Sequence, residues 1–128
     1  MPVDDREKLA RFVVVESYIR RSKNTPRPQV FLPYKHVELS VIRHLDLSEA
    51  ELWEIGQTDV ADKLGKPLHG RADILASDVR AERLDVKPSE PPRNHANIIG
   101  WPPERAAQMS YAQVLASKAG QFIPTPTA

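Results

Sequence analysis

Proline placement constrains this chain more than any other feature of its sequence. Proline occupies 12 of the 128 positions, about twice its ordinary usage. Three prolines fall within 26–33 and five within 88–103, next to segments with an ordered pattern. Because proline fixes φ and lacks the N–H donor of a regular element, each cluster predicts a long loop. The remaining connections are too short or too interrupted by proline for parallel βαβ crossovers, which favours antiparallel strands.

Length and composition indicate one globular domain. A chain of this length matches a single domain, and 41% hydrophobic residues supply enough apolar surface for a core, which argues against wholesale disorder. The sequence has no cysteine, which excludes a disulfide framework, a thiol nucleophile and cysteine-ligated zinc. We expect the domain to span 1–122 and the segment 123–128 to form a flexible tail.

The amino-terminal segment predicts no membrane insertion. It is acidic and polar before any apolar run begins, unlike a signal or transit peptide. The longest apolar run covers residues 12–15, far shorter than a membrane span. We therefore expect a cytoplasmic protein without a membrane partner.

The formal net charge of +1 conceals three blocks of different sign. The charge is +4 over 1–45, −5 over 46–64 and +2 over 65–128. A total near zero argues against bulk electrostatic binding to nucleic acid or membrane. The segment 17–37 nevertheless contains no acid and five bases, namely Arg20, Arg21, Lys23, Arg27 and Lys35. This positive segment is either a solvated loop or a contact surface for an acidic partner or a phosphate.

Residue patterns predict several extended segments. A β-branched and aromatic run over 11–19 predicts a strand, although the capping-box-like spacing of Asp4 and Glu7 allows a competing helix at the start of the chain. Alternation of apolar and polar residues predicts a half-buried strand over 37–44. Further extended segments are predicted at 30–32, 71–76, 85–86 and 95–100.

The clearest local signal is a helix start at Ser48. Ser48 and Glu51 have the spacing of a reciprocal capping box, and Leu47 and Leu52 have the spacing of a hydrophobic staple. Gly56 is placed to end this helix. Further helices are predicted at 58–64, at 78–84 after a cap at Ser77, and at 103–119, with Pro103 as first residue and Gly120 as the end.

These elements together predict an α+β fold. We expect a single domain with a small, mostly antiparallel sheet, packed by two to four helices on one side of it.

The sequence contains no complete catalytic or metal-binding motif. GxGxxG, the P-loop, GxSxG and HExxH are all missing. The four histidines, at positions 36, 44, 69 and 95, are far apart in the sequence. We therefore predict no metal site and no cofactor.

Arginine and histidine recur together at predicted strand boundaries. They do so at 43–44, 69–71 and 93–95. A guanidinium matches the geometry of phosphate or carboxylate, and an imidazole transfers protons near neutral pH. This pattern suggests an anion or nucleotide pocket, although each histidine alone also fits a structural hydrogen-bonding role. The candidate residues are Arg43, Arg71, Arg93 and Asn94 for anion binding and His44, His69 and His95 for catalysis, with Asn94–His95 the strongest pair because it opens an apolar strand.

Four stretches resemble a family of short bacterial proteins. They are ELSVIR at 38–43, LSEAELWEIG at 47–56, GRAD at 70–73 and NHANIIGWP at 94–102. The resemblance covers roughly residues 12–118. It implies a self-contained bacterial domain and carries no activity, substrate or catalytic residue.

Three functions follow from these patterns. The first is an accessory or binding protein that contacts a macromolecular partner, most simply a protein, through the basic segment and the proline-rich loops. The second is a phosphate- or nucleotide-directed enzyme that uses the Arg/His residues, so that the sequence leaves enzymatic activity open. The third is a single-stranded nucleic-acid binder in which Tyr18, Phe31 and Tyr34 stack on bases between the basic residues.

Overall fold

Residues 2–33 and 37–126, described by a computed structural model, are built on one six-stranded antiparallel sheet. The strands of the chain are β1 Lys8–Val13, β2 Ile19–Arg20, β3 Thr25–Pro26, β4 Leu39–Arg43, β5 Gly70–Leu75, β6 Asp85–Pro88, β7 His95–Ile99 and β8 Ile123–Pro124. The large sheet has the order β6-β7-β4-β1-β5-β8, with every neighbouring pair antiparallel. Strands β2 and β3 form a separate two-stranded ribbon.

Helices complete the predicted α+β architecture. They are α1 Glu49–Ile55, which continues through a π-helical segment Gly56–Ala61 into α2 Asp62–Leu64, then α3 Ala76–Arg80 and α4 Arg105–Ala119. Short 3₁₀ turns span Glu16–Tyr18 and Pro28–Phe31. The fold class predicted from sequence is therefore confirmed.

The helices lie on both faces of the sheet, which corrects the expectation that they share one side. The central strand β1 sends Leu9 and Val13 into the larger core, with α3 and α4. Its alternate residues Ala10 and Phe12 point the other way and pack with Leu52 of α1. A strand that is buried on both faces needs a cover on each of them.

The capping box at Ser48 is confirmed. The Glu51 N–H donates to Ser48 Oγ over 3.1 Å, and the Ser48 N–H donates to Glu51 Oε1 over 2.9 Å. The predicted stop at Gly56 is wrong, because Gly56 has right-handed helical geometry and the helical path continues to Leu64. The left-handed residue that ends it is Gly65, with φ of 65°.

Close packing explains why position 56 is glycine. A Cβ built on Gly56 would lie within 2.7 Å of three atoms of the Phe12 ring. Phe12 is buried and meets Trp53 edge-on, with the ring centroids 6.0 Å apart. The glycine therefore allows the helix to approach β1, a requirement that is tertiary and invisible to local pattern.

Other elements begin or end at residues that differ from those predicted. The spacing of Asp4 and Glu7 closes a turn rather than a helix, since the Asp4 N–H donates to Glu7 Oε2 over 2.7 Å and the Glu7 N–H donates to Asp4 O over 3.0 Å. The strand predicted over 11–19 begins earlier, at Lys8, and ends at Val13. The extended segment predicted at 30–32 lies largely within a 3₁₀ turn that begins at Pro28.

Two helices also start at residues other than those predicted. Helix α3 begins at Ala76, before the predicted cap at Ser77. Helix α4 begins at Arg105 with Glu104 as its N-cap residue, so Pro103 is not its first residue. The predicted end at Gly120 is confirmed.

The segment assigned to a tail carries backbone hydrogen bonds. Strand β8 pairs with Gly70 and Arg71 of β5. Thr125 then donates from its N–H to His69 O over 3.1 Å and from Oγ1 to Leu68 O over 2.9 Å. The ordered edge of the sheet thus extends past residue 122, while residues 127–128 lie outside the described part of the chain.

Candidate functional site

Arg71, one of the predicted anion-binding residues, lies in a carboxylate cluster. Its Nε is 3.0 Å from Asp73 Oδ1, and its Nη1 and Nη2 each lie 2.9 Å from an oxygen of Glu49. The side chain is 3% exposed and stacks over Trp53 at 4.7 Å from the ring centroid. His44 joins the cluster, with Nε2 3.0 Å from Asp73 Oδ1. The structure therefore brings together Arg71 and His44, two predicted site residues, around one carboxylate.

The charges in this cluster hold the carboxylates ionised. The hydrogen bond from Arg71 lowers the pKa of Glu49. Burial raises the pKa of Asp73, but hydrogen bonding and charge from His44 and Arg71 outweigh it and leave that pKa below its ordinary value. Two carboxylates thus already occupy the guanidinium fork of Arg71.

The other two predicted arginines also face carboxylates. Arg43 is buried and contacts Glu7 from Nε and Nη2, at 2.8 Å each. Arg93 is half exposed and lies 3.3 Å from Glu51. A phosphate at any of the three arginines would have to compete with a carboxylate, so anion binding there stays a prediction.

The three predicted histidines belong to different parts of the sheet. The His44 N–H donates to Lys8 O, and the His69 N–H donates to Val13 O, so these two residues flank opposite ends of β1. His95 pairs in register with Ile42, on the β4–β7 side of the sheet. Asn94, beside it, donates from Nδ2 to Arg43 O and Leu45 O over 2.9 and 2.7 Å, which ties the preceding loop to the end of β4.

The ribbon β2–β3 and its turn lie within the basic segment 17–37, and Arg27 directly follows β3. The described cations of the segment are Arg20, which is partly exposed, and Arg21, Lys23 and Arg27, which are exposed. Arg21 pairs with Glu16 at 2.6 Å. The fifth base of the segment, Lys35, lies outside the described residues, as does Tyr34.

The ribbon is fastened to the body of the protein. Asn24, in the left-handed conformation with φ of 54°, donates from Nδ2 to Gln121 Oε1 and Phe122 O, both over 3.2 Å. The Phe122 N–H returns a bond to Asn24 O over 2.8 Å, and the Arg27 N–H donates to Tyr18 O over 2.8 Å. These bonds hold the turn of the ribbon against residues 121–122 and fix the backbone on which the exposed cations lie.

The described aromatic residues near the ribbon serve the core. Phe31 is completely buried, and Tyr18 packs against the same core while partly buried. A base-stacking platform needs an exposed ring face. These two rings are therefore engaged elsewhere.

A cleft of about 290 Å³ opens between the helical segment 59–64 and the sheet. Its apolar lining comes from Ala10, Phe12, Ile42, Val60, Leu64 and Pro92, and its polar lining includes Arg11, Ser40, Asp59, Lys63 and His95. An apolar cleft with a few convergent polar groups is the usual form of a small-ligand site.

Ser40 and His95 meet at this cleft. Ser40 lies opposite Asn97, and His95 opposite Ile42, so their side chains are diagonal neighbours on one face of the β4–β7 pair. Ser40 Oγ is 2.7 Å from His95 Nε2, and His95 Nδ1 is 2.9 Å from Ser89 O. Sequence reasoning nominated His95 but missed Ser40, because the pairing of β4 with β7 was unknown.

Arg11 fills a gap between two strands beside the cleft. Strands β1 and β4 pair only at Leu9 and Ala10, and beyond that point Arg11 donates from Nη1 to Ser40 O and from Nε to Val30 O, over 2.9 Å each. No carboxylate among residues 2–33 and 37–126 forms an ion pair with it. Burial lowers the pKa of Arg11 to about 10, so it remains a cation at neutral pH.

Comparison with protein-family models, curated proteins and solved structures found no match to this chain. Within the described ranges, no group of three or more His, Asp or Glu residues is arranged to hold a metal ion. The helices there are also too short or too polar for any of them to cross a membrane.

Proposed function

We propose that this chain is an accessory binding protein that recognises an acidic segment of a protein partner through the ribbon β2–β3. The observation that carries the proposal is the exposure of Arg21, Lys23 and Arg27, three cations within seven residues of a chain that is close to neutral overall. Complementary charge accelerates encounter and selects partners. The proposal includes a bacterial, cytoplasmic setting, with which a cysteine-free chain is compatible.

The surroundings of the ribbon favour an acidic peptide over single-stranded nucleic acid. Of the described aromatic residues of this segment, Phe31 is buried and Tyr18 is partly buried against the core, so neither of these two offers bases a fully exposed ring face on which to stack. A carboxylate-rich segment requires only the cations. Arg21 also keeps Glu16 at 2.6 Å, an exposed contact that an incoming carboxylate can replace at small cost.

A labelled peptide of ten glutamates tests the proposal by fluorescence anisotropy. We expect binding that weakens as salt is raised, because exposed charge pairs are screened. The triple variant Arg21→Ser, Lys23→Ser, Arg27→Ser should lose about 0.6–3 kcal/mol, or roughly 3- to 150-fold in affinity, at about 0.2–1 kcal/mol per exposed pair.

A matched variant controls for the loss of charge alone. Arg6, Lys66 and Lys87 are exposed cations outside the ribbon, and their replacement by serine should leave peptide affinity nearly unchanged. Equal losses in the two triple variants would overturn the proposal. Tighter binding of a ten-residue thymidine oligonucleotide than of the peptide would overturn it in favour of nucleic acid.

A further inference from the structure

The hydrogen bonds around His95 determine the direction of its bond with Ser40. Ser89 O is a carbonyl and can only accept, so His95 Nδ1 must carry the proton that lies on this 2.9 Å contact. In a neutral imidazole the other nitrogen, Nε2, is then a bare acceptor. The Ser40 hydroxyl therefore donates to Nε2 over 2.7 Å. This is the arrangement in which an imidazole acts as general base toward a serine.

Short-range bonds hold His95 in this position. The Ser89 N–H donates to His95 O over 2.8 Å, and the His95 N–H donates to Pro92 O over 3.0 Å. The Asn94 N–H donates to Glu90 Oε2 over 2.9 Å, while its side chain bonds two carbonyls near the end of β4. The loop 89–94 therefore orients the imidazole, as a third group must do in a nucleophile–base pair.

The cleft gives a substrate access to the Ser40–His95 pair and provides a lining for its side groups. Ser40 is exposed, so that a reactant can reach its Oγ. Apolar side chains of Phe12, Val60 and Leu64 line the same space and suit a small hydrocarbon group. Lys63 and Arg11 bring positive charge to the same lining and Asp59 brings negative charge. Positive charge at such a site favours the negative charge that develops on a substrate oxygen.

We propose that this cleft is a second functional site, in which Ser40 attacks small esters that carry an apolar acyl group. Ser40 Oγ bonds to the ester carbonyl carbon while its proton passes to His95 Nε2. The intermediate expels the alcohol, which takes that proton, and leaves the acyl group on Ser40. Water repeats the sequence with His95 as base, which releases the carboxylic acid and restores the serine.

Two probes test this site on the full chain. A fluorophosphonate carrying a fluorescent dye should label Ser40, as located by peptide mapping, and p-nitrophenyl butyrate should be hydrolysed. Ser40→Ala should abolish both signals. His95→Gln should slow both by roughly 100-fold or more, the contribution of a positioned general base. Ser110→Ala removes another exposed serine, on the outer side of α4, and should change neither.

Each contrary outcome is distinct. Label on another serine, or hydrolysis that persists in Ser40→Ala, would overturn the assignment of the nucleophile. Labelling of Ser40 that is unaffected by His95→Gln would overturn the role of the imidazole. Circular dichroism and urea unfolding of each variant separate loss of chemistry from loss of fold. The ribbon triple variant should label normally, so this inference and the proposed function fail independently.

Discussion

Gly56→Ala tests whether contact with Phe12 sets the path of the helix. Gly56 has φ of −58° and ψ of −39°, so alanine meets no backbone strain there. On an exposed helix this change would stabilise the protein by about 1 kcal/mol. Here the added Cβ would lie within 2.7 Å of three Phe12 ring atoms, where ordinary contact begins at 3.4 Å. The buried ring or the helix must therefore move.

The expected effect is the difference between these two terms. Overpacking a core costs about 1–3 kcal/mol. The middle of that range, about 2 kcal/mol, exceeds the helix-propensity gain of about 1 kcal/mol. We expect a net loss of about 1 kcal/mol in the free energy of unfolding, or roughly 4 °C in Tm for a domain of this size. Urea unfolding followed by tryptophan fluorescence measures it, since Trp53 packs against Phe12.

A second background isolates the contact. In Phe12→Leu the ring is gone, so Gly56→Ala should become neutral or stabilise by up to about 1 kcal/mol. The double-mutant cycle should then give a coupling of at least about 1 kcal/mol. If Gly56→Ala stabilises the wild-type chain, or costs the same in both backgrounds, the packing explanation for this glycine is refuted.

Two further predictions concern the buried charges. As the pH falls below about 4.5, the free energy of unfolding should decrease. Burial alone would raise the pKa of Glu7 and of Asp73, but hydrogen bonds and charge, from Arg43 at Glu7 and from His44 and Arg71 at Asp73, hold both pKa values below their ordinary values. The two carboxylates therefore take up protons in the unfolded chain at a higher pH than in the folded protein, and the folded state loses stability as the pH falls. Urea midpoints that stay constant from pH 7 to 3 would contradict this. Arg71→Met should cost about 3 kcal/mol because it leaves Asp73 without its buried cation, whereas Arg71→Lys should cost less; a loss under 1 kcal/mol in the same urea assay would show that the cluster adds little.

Local chemistry was predictable where the contacts are local. The Ser48–Glu51 capping box uses two residues three apart, and no distant element is needed to recognise it. The same applies to Gly120, which ends α4. Gly56 also follows a predicted helix, as Gly120 does, but it does not end that helix. Its role is to make room for Phe12, which lies 44 positions earlier in the sequence and packs against it.

The candidate site was only half predictable for the same physical reason. His95 stands out in the sequence as a polar residue that opens an apolar strand. Its partner Ser40 lies 55 positions away, and only the β4–β7 register brings the two side chains to one face. Likewise, Arg71 offers a fork for an anion, but the pattern does not show that Glu49, on a separate helix, fills it.

The position of β1 in the sheet has a consequence for how the chain assembles. This strand is the first along the sequence, yet it lies between β4 and β5. Both of its hydrogen-bonding edges therefore stay open during synthesis until residues 39–43 and then 70–75 have emerged. An apolar strand with two open edges is prone to pair with other chains. We expect nascent chains that stop before residue 70 to aggregate more readily than those that extend past residue 75.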